Sequence, residues 1–425
     1  MVLPRVNGGF LVGRMNIASV LSQHAEEAAF QWLLRDSSVC APHYSMQDLA
    51  KLDGMVEAHI DGLRIAGDAG WQICLDELAW EEPGEVFAGG VLAFESGIAE
   101  RIDRVLQVAS ESLELARGAV SALGWLAHEQ ARLHIESLVA SNEPILRRIG
   151  IAASAIHRQD NQGPEGDREV NAHPWVRARA LKAAGEMGRV ELIPSCLVRL
   201  ETDDDDCRFW SAWSAAILGD RGAARSLQAI AESGGPHALR AGDLAARCSG
   251  HAEALRWSER LAGDPKQRDL AIRVAGALGD PESVPWLTEQ MSIPDLARRA
   301  GEAFSMITGV DIAYQDLDGE WPEGFQAGPT ENPEDEDVAM DADEDLPWPD
   351  PEKIGRWWSQ HRADFKPAKR HLLGTPISED SLQDALRRGQ QRQRAAAALE
   401  LSLLQRGRPL FEVRARGDRQ LAALR

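Results

Sequence analysis

The sequence offers little from which to build a cross-linked or metal-held fold. Its five cysteines (Cys40, Cys74, Cys196, Cys207 and Cys248) are odd in number and scattered, with no C-x-x-C pair. That spacing suits small, reduced, buried hydrophobes better than a disulfide framework or a zinc site. No apolar run approaches the roughly 18 residues of a membrane span. The opening residues lack the apolar core of a signal peptide, so the expected location is cytoplasmic. H-E-x-x-H, G-x-S-x-G, a Walker loop and a G-x-G-x-x-G following a strand are all missing, so no common catalytic signature is available. Tyrosine is nearly absent, with 2 residues against 13 tryptophans, a bias towards bulky wedges between helices.

Positive charge is also scarce overall, the 425 residues carrying a net −21. It is unevenly spread. Glu331–Glu352 holds eleven acids and no base, whereas Lys353–Arg425 holds sixteen Lys and Arg against seven acids, which leaves −19 for residues 1–330. A body that negative repels phosphate backbones and favours basic protein surfaces, which disfavours nucleic acid as a partner.

What the sequence does have is a stride. The run Val176–Gly188 and the run Cys207–Gly219 both read as a helix closed by glycine, 31 residues apart. Steps of similar length reach Gly250, Gly279 and Gly309, and backwards meet His157, His128, Gly97, Gly67 and Asp36. Four residues before these markers, from Gly67 to Gly309, stand Leu63, Ala93, Gly124, Ala153, Ala184, Ala215, Ala246, Ala275 and Ser305, all small but one. A small side chain one turn before a helix end lets neighbouring helices approach closely. Self-similarity at this period is the mark of stacked repeats. The expected fold is therefore all-α, an α-α superhelix of about nine repeats of roughly 30 residues, with a helical carboxy-terminal module.

Three segments follow: a repeat solenoid over 1–315, an acidic, partly disordered linker over 316–347, and a basic helical module over 348–425. A chain ended near Asp316 is expected to keep its helical fold. Residues 158–174 read as a polar loop longer than the others. Asp203–Asp206 precede a helix, where carboxylates cap free N–H groups and complement the dipole, a simpler reading than a metal site. His128 and His157 are expected at helix ends near free carbonyls.

The clearest unit is Leu270–Leu287, whose A-L-G-D-P-x-x-V-P-x-L resembles the short HEAT repeat of the phycobilisome-lyase type. Gly closes one helix there, Asp-Pro turns the chain, and Pro opens the next helix. The pattern weakens over 237–265, where Asp243 falls on an apolar position. With Trp348-Pro-Asp-Pro and Arg356-Trp-Trp, Gly374-Thr-Pro and Arg392–Leu401, the chain resembles an uncharacterised proteobacterial family of HEAT-repeat proteins often found beside type VI secretion genes. The resemblance implies context, an adaptor or accessory, and no chemistry.

The expected function is thus a non-catalytic protein–protein interaction scaffold without cofactor or metal. The alternative is a metal-dependent or lyase-like enzyme on the same scaffold. HEAT solenoids resembling deoxyhypusine hydroxylase hold two irons through several His-Glu dyads, and this chain has one, His128-Glu129. Candidate partner-binding residues are Trp348, Trp357, Trp358, Arg387, Arg388, Arg392 and Arg394, since aromatics beside arginines anchor interfaces. Two alternatives stand beside that reading: Trp357 and Trp358 as helix packing, and the arginines as partners of the chain's own acidic surface or linker.

Overall fold

A computed structural model describes residues 14–158, 173–328, 340–366 and 368–425. Most of the expected loop at 158–174 and the centre of the acidic linker lie outside these residues. The described chain is almost wholly helical, in adjacent helix pairs, as an all-α helical repeat. A short hairpin, His371–Leu372 with Thr375–Pro376, is the exception that the all-α reading does not anticipate. No described helix is long and apolar enough to cross a membrane. Contacts divide the described chain into two compact units. One contains the residues up to Ser37 with Leu49–His157, and the other Ser38–Asp48 with everything from Arg158 onward. The boundary at His157 falls within the stretch that the sequence reads as one solenoid.

In the first unit the core is built from Trp32, Phe87 and Trp125, with Trp32 stacked on Phe87 at 5.4 Å and Trp125 edge-on to it at 5.3 Å. The indole N–H of Trp125 donates to Glu57 at 2.5 Å, which satisfies its polar end. Helices Pro83–Ser96 and Leu113–Trp125 meet closely because Gly118 offers no side chain where the Pro83 carbonyl and Val86 stand. Successive repeats are tied by ion pairs one stride apart, Arg64 with Glu95 at 2.7 Å and Arg101 with Asp68 at 2.5 Å.

In the second unit the repeat helices Pro174–Glu186, Asp205–Leu218, Ala238–Cys248, Arg268–Leu278 and Pro294–Thr308 stand in sequence, each packed on the next. A second set of helices, such as Ala223–Ser233 and His251–Ala262, pairs with them. Helix ends follow the sequence chemistry. Asp204 accepts from the Cys207 amide at 2.7 Å as an N-cap, the role expected of that acidic run. The Asp-Pro turns repeat one device: Asp264, Asp280 and Asp350 each accept from the amide two residues on, at 3.0, 3.0 and 2.9 Å. Gly188, Gly219, Gly279 and Gly309 all have positive φ, between 71° and 104°, the left-handed geometry that closes a helix at least cost in glycine. The small column is buried at seven of its nine positions, all but Gly124 and Ser305.

Three markers do not fit, one being Asp36, which lies within the helix Arg14–Ser38 instead of following it. Gly250 has φ −62° and precedes the helix His251–Ala262, because Ala238–Cys248 is followed directly by Ser249, in the place where Gly219 and Gly279 follow their helices. His128 opens the helix His128–Val139 instead of closing one. His157 does close a helix, and its Nε2 meets the Leu123 carbonyl at 2.9 Å.

The carboxy-terminal module folds into this second unit. Helices Pro351–His361, Glu379–Arg388, Gln391–Leu404 and Gly417–Ala423 carry it. Leu399, Leu403 and Leu410 pack on the repeat core of Phe209, Leu244 and Val274. Met306 joins the module's own core with Leu372, Leu386 and Leu401.

Candidate functional site

The repeat helices of the second unit and Gln391–Leu404 enclose a cleft of about 590 Å³. Its lining follows the repeat stride. Arg240, Asp269 and Arg299 stand 29 and 30 residues apart, as do Asp243, Ile272 and Glu302. One face of each successive helix therefore lines the cleft, since equivalent positions in stacked repeats share a direction. The opposite side is formed by Gln391, Arg392, Ala395 and Leu399 and by the turn Leu410–Arg414.

At the cleft's deep wall an ion cluster joins module to repeats. Arg247 pairs with Asp243 at 2.8 Å and with Glu400 at 3.0 Å, and all but Asp243 are nearly enclosed. Arg370 also binds Glu400, at 3.2 Å through one nitrogen. Its guanidinium donates to the carbonyls of Leu278 at 2.9 Å, Ala277 at 3.1 Å and Arg247 at 3.1 Å, closing the ends of two repeat helices. Burial pushes the Asp243 carboxyl up, but Arg247 beside it outweighs that and holds it below the usual carboxylate range.

At the other end Glu186 pairs with Arg179 at 2.9 Å, and Lys182 lies 3.7 Å from it. Burial opposes the Glu186 charge, yet Arg179, Lys182 and Arg158 bring its pKa down to about 2. The Lys182 ammonium sits 4.6 Å from the centre of the Trp210 ring. Burial lowers its pKa, Glu186 opposes, and Arg179, Arg414 and Arg240 add to the fall, to about 8. A lysine near 8 is a cation that a bound anion would stabilise further.

The seven residues proposed from sequence are not brought together. Trp348 is buried, and its ring, with those of the exposed Trp321 and the half-buried Phe325, surrounds the guanidinium of Arg298, which lies 4.9 Å from the Trp348 ring. Trp357 packs edge-on to Phe304 at 5.6 Å and stacks on His361 at 4.3 Å, and Trp358 meets Phe365 at 5.3 Å. Both tryptophans are therefore engaged in helix packing. Arg394 is fully buried and cannot face a partner. It donates to the Leu386 carbonyl at 2.8 Å and to Gln391 and Gln420, and burial without a facing carboxylate lowers its pKa to about 10. Arg392 is spent on Glu302 at 3.1 Å and Asp343 at 3.0 Å, one acid from the repeats and one from the acidic segment. Arg387 and Arg388 are exposed. Of the seven, only Arg392 lines the cleft.

Sequence reasoning missed Lys182, Arg240 and Arg273, which do line it. The available signal was polar residues recurring at the stride inside apolar helices, among them the Asp243 that weakens the repeat pattern. Among the described residues no group of three or more His, Cys, Asp or Glu is placed to hold a metal. His128 faces His157, with ring centres 5.2 Å apart.

Residues 169–246 match the family model described as HEAT repeats. The chain carries HEAT-like repeats. No curated protein and no solved structure matches it.

Proposed function

We propose that the chain is a non-catalytic scaffold that holds a protein partner in the cleft of the second unit. The observation that carries this reading is the cleft itself, whose walls combine Trp210, Trp213 and Phe411 with arginines, the residue types that anchor protein interfaces. HEAT-like repeats, which commonly mediate protein–protein interaction, support it. The resemblance to proteins found beside type VI secretion genes extends the proposal to an accessory of such a secretion or effector cluster.

Affinity capture from the native host tests it, comparing the full chain with Trp210→Ala. A partner retained by the first and lost by the second is expected, with helical circular dichroism unchanged. The same proteins captured by both would count against the cleft. No observation favours the metal-dependent or lyase-like alternative.

A further inference from the structure

The cleft is cationic in a chain that is strongly acidic. Eight Lys and Arg line it against six Asp and Glu. All six acids are already engaged: Glu186 by Arg179, Asp243 by Arg247, Asp269 by Arg299, Glu302 and Asp343 by Arg392, and Glu412 by Arg158. Arg240 and Arg273 have no carboxylate within ion-pair distance and no hydrogen-bond partner among the described residues. Lys182, about a third exposed, lies over the Trp210 ring and holds the 3.7 Å approach to Glu186, which Arg179 already holds more closely. These three side chains come from three different repeat helices and face one space.

Beside these three cations and the paired charges the lining carries apolar side chains, Trp210, Trp213, Leu239, Ile272 and Leu399. Five repeat helices contribute to it, and neighbouring helices pack about 8–10 Å apart, so the row runs on the order of 35 Å. That is about ten residues of extended chain at about 3.3 Å each. A compact anion does not span such a row. A polyphosphate backbone would present charge to the six acids as well as to the cations, and residues 1–330 carry −19. The feature that matches unpaired guanidinium groups set among apolar side chains and acids already paired is a carboxylate-bearing peptide with apolar residues between its acids.

We propose that the cleft binds an extended acidic segment of a partner protein, its carboxylates seated on Arg240, Arg273 and Lys182 and its apolar side chains against Trp210 and Leu239. This rests on the scaffold reading and names the partner's chemistry.

The test selects a random displayed peptide library on the full chain and on the double variant Arg240→Glu/Arg273→Glu. Peptides enriched on the native chain are expected to combine Asp or Glu with apolar residues, and those enriched on the variant to lose the acids or exchange them for Lys and Arg. Circular dichroism melts establish that the variant is folded. Should it unfold, Arg240→Gln and Arg273→Gln replace it, each expected to weaken the best native-selected peptide about tenfold in fluorescence anisotropy. Failure to enrich any peptide overturns the proposal, as do basic or neutral peptides on the native chain and unchanged enrichment on the variant. A single-stranded oligonucleotide that outcompetes the selected peptide at physiological salt overturns it too. Loss of captured host proteins on Trp210→Ala without any acidic preference would leave the scaffold reading standing and remove this one.

Discussion

Glycines that close helices in the two units look alike in sequence and differ in what faces them. A side chain at Gly67 or Gly97 of the first unit would meet nothing within 4 Å. At Gly309 it would meet the Leu373 backbone at 2.6 Å, at Gly188 the Gly407 carbonyl at 2.6 Å, and at Gly279 the His371 carbonyl closer still. His371 donates to the Gly279 carbonyl at 2.7 Å, and Gly374 to that of Ile307 at 3.0 Å. In the first unit the glycine serves only its own backbone conformation. In the second it also makes room for the carboxy-terminal module to lie on the helix ends. The same residue in the same column thus answers two physical demands, and only one can be read from a single repeat.

The largest way to break this comparison is to remove the module. The sequence alone suggests that a chain ended near Asp316 keeps its fold. The structure leads to the opposite expectation, because Leu399, Leu403 and Leu410 would leave the repeat core and Met306 would lose its neighbours. Such a fragment should melt without a cooperative transition for the second unit, and an ANS titration should report exposed apolar surface. Next in size is Glu400→Ala, which leaves Arg247 and Arg370 short of a buried carboxylate. A cost of about 3 kcal/mol in urea denaturation is expected.

Glycine substitutions sharpen the comparison directly. Gly97→Ala places a side chain at φ 64° in open space and should cost about 1 kcal/mol. Gly279→Ala adds the clash with His371 and should cost at least about twice as much. Equal effects at the two sites would remove the distinction. Asp204→Ala, which deletes one helix cap and touches no module residue, should cost about 1 kcal/mol. The smallest effect concerns pH. Lys182 faces Glu186 and Arg179 on its own helix, Arg240 on Ala238–Cys248 and Arg414 on the module's turn, and titrates near 8. Its charge is present below that pH and lost above it, so affinity for an acidic peptide should fall modestly between pH 7 and 9, and Lys182→Met should flatten that change.

Much of the repeat was legible in the sequence. Helix ends are set by local chemistry, as at Asp204, the Asp-Pro turns and Gly279, and local chemistry is what a single sequence displays. Gly250 misled because a glycine N-cap and a glycine helix stop share the same letter. The cleft was less legible. Arg240, Asp269 and Arg299 recur at the stride, but a recurring charge on a helix reads as solvent-facing until the fold shows what lies opposite. The partners of Arg392 and Glu400 lie 90 and 153 residues away, at Glu302 and Arg247. No periodicity encodes such pairs. The tryptophans Trp357 and Trp358 attracted attention for their composition and are packing residues, whereas Asp243, the misfit in the repeat, marks the cleft. Departures from a structural pattern are where function tends to sit.

Hydrogen exchange followed by mass spectrometry on the full chain tests most directly whether module and repeats form one body around the cleft. Amides of Gln391–Leu404 and Asp205–Leu218 should open with the same free energy and lose protection together in Glu400→Ala. Rapid exchange of Gln391–Leu404 beside a fully protected Asp205–Leu218 would contradict it.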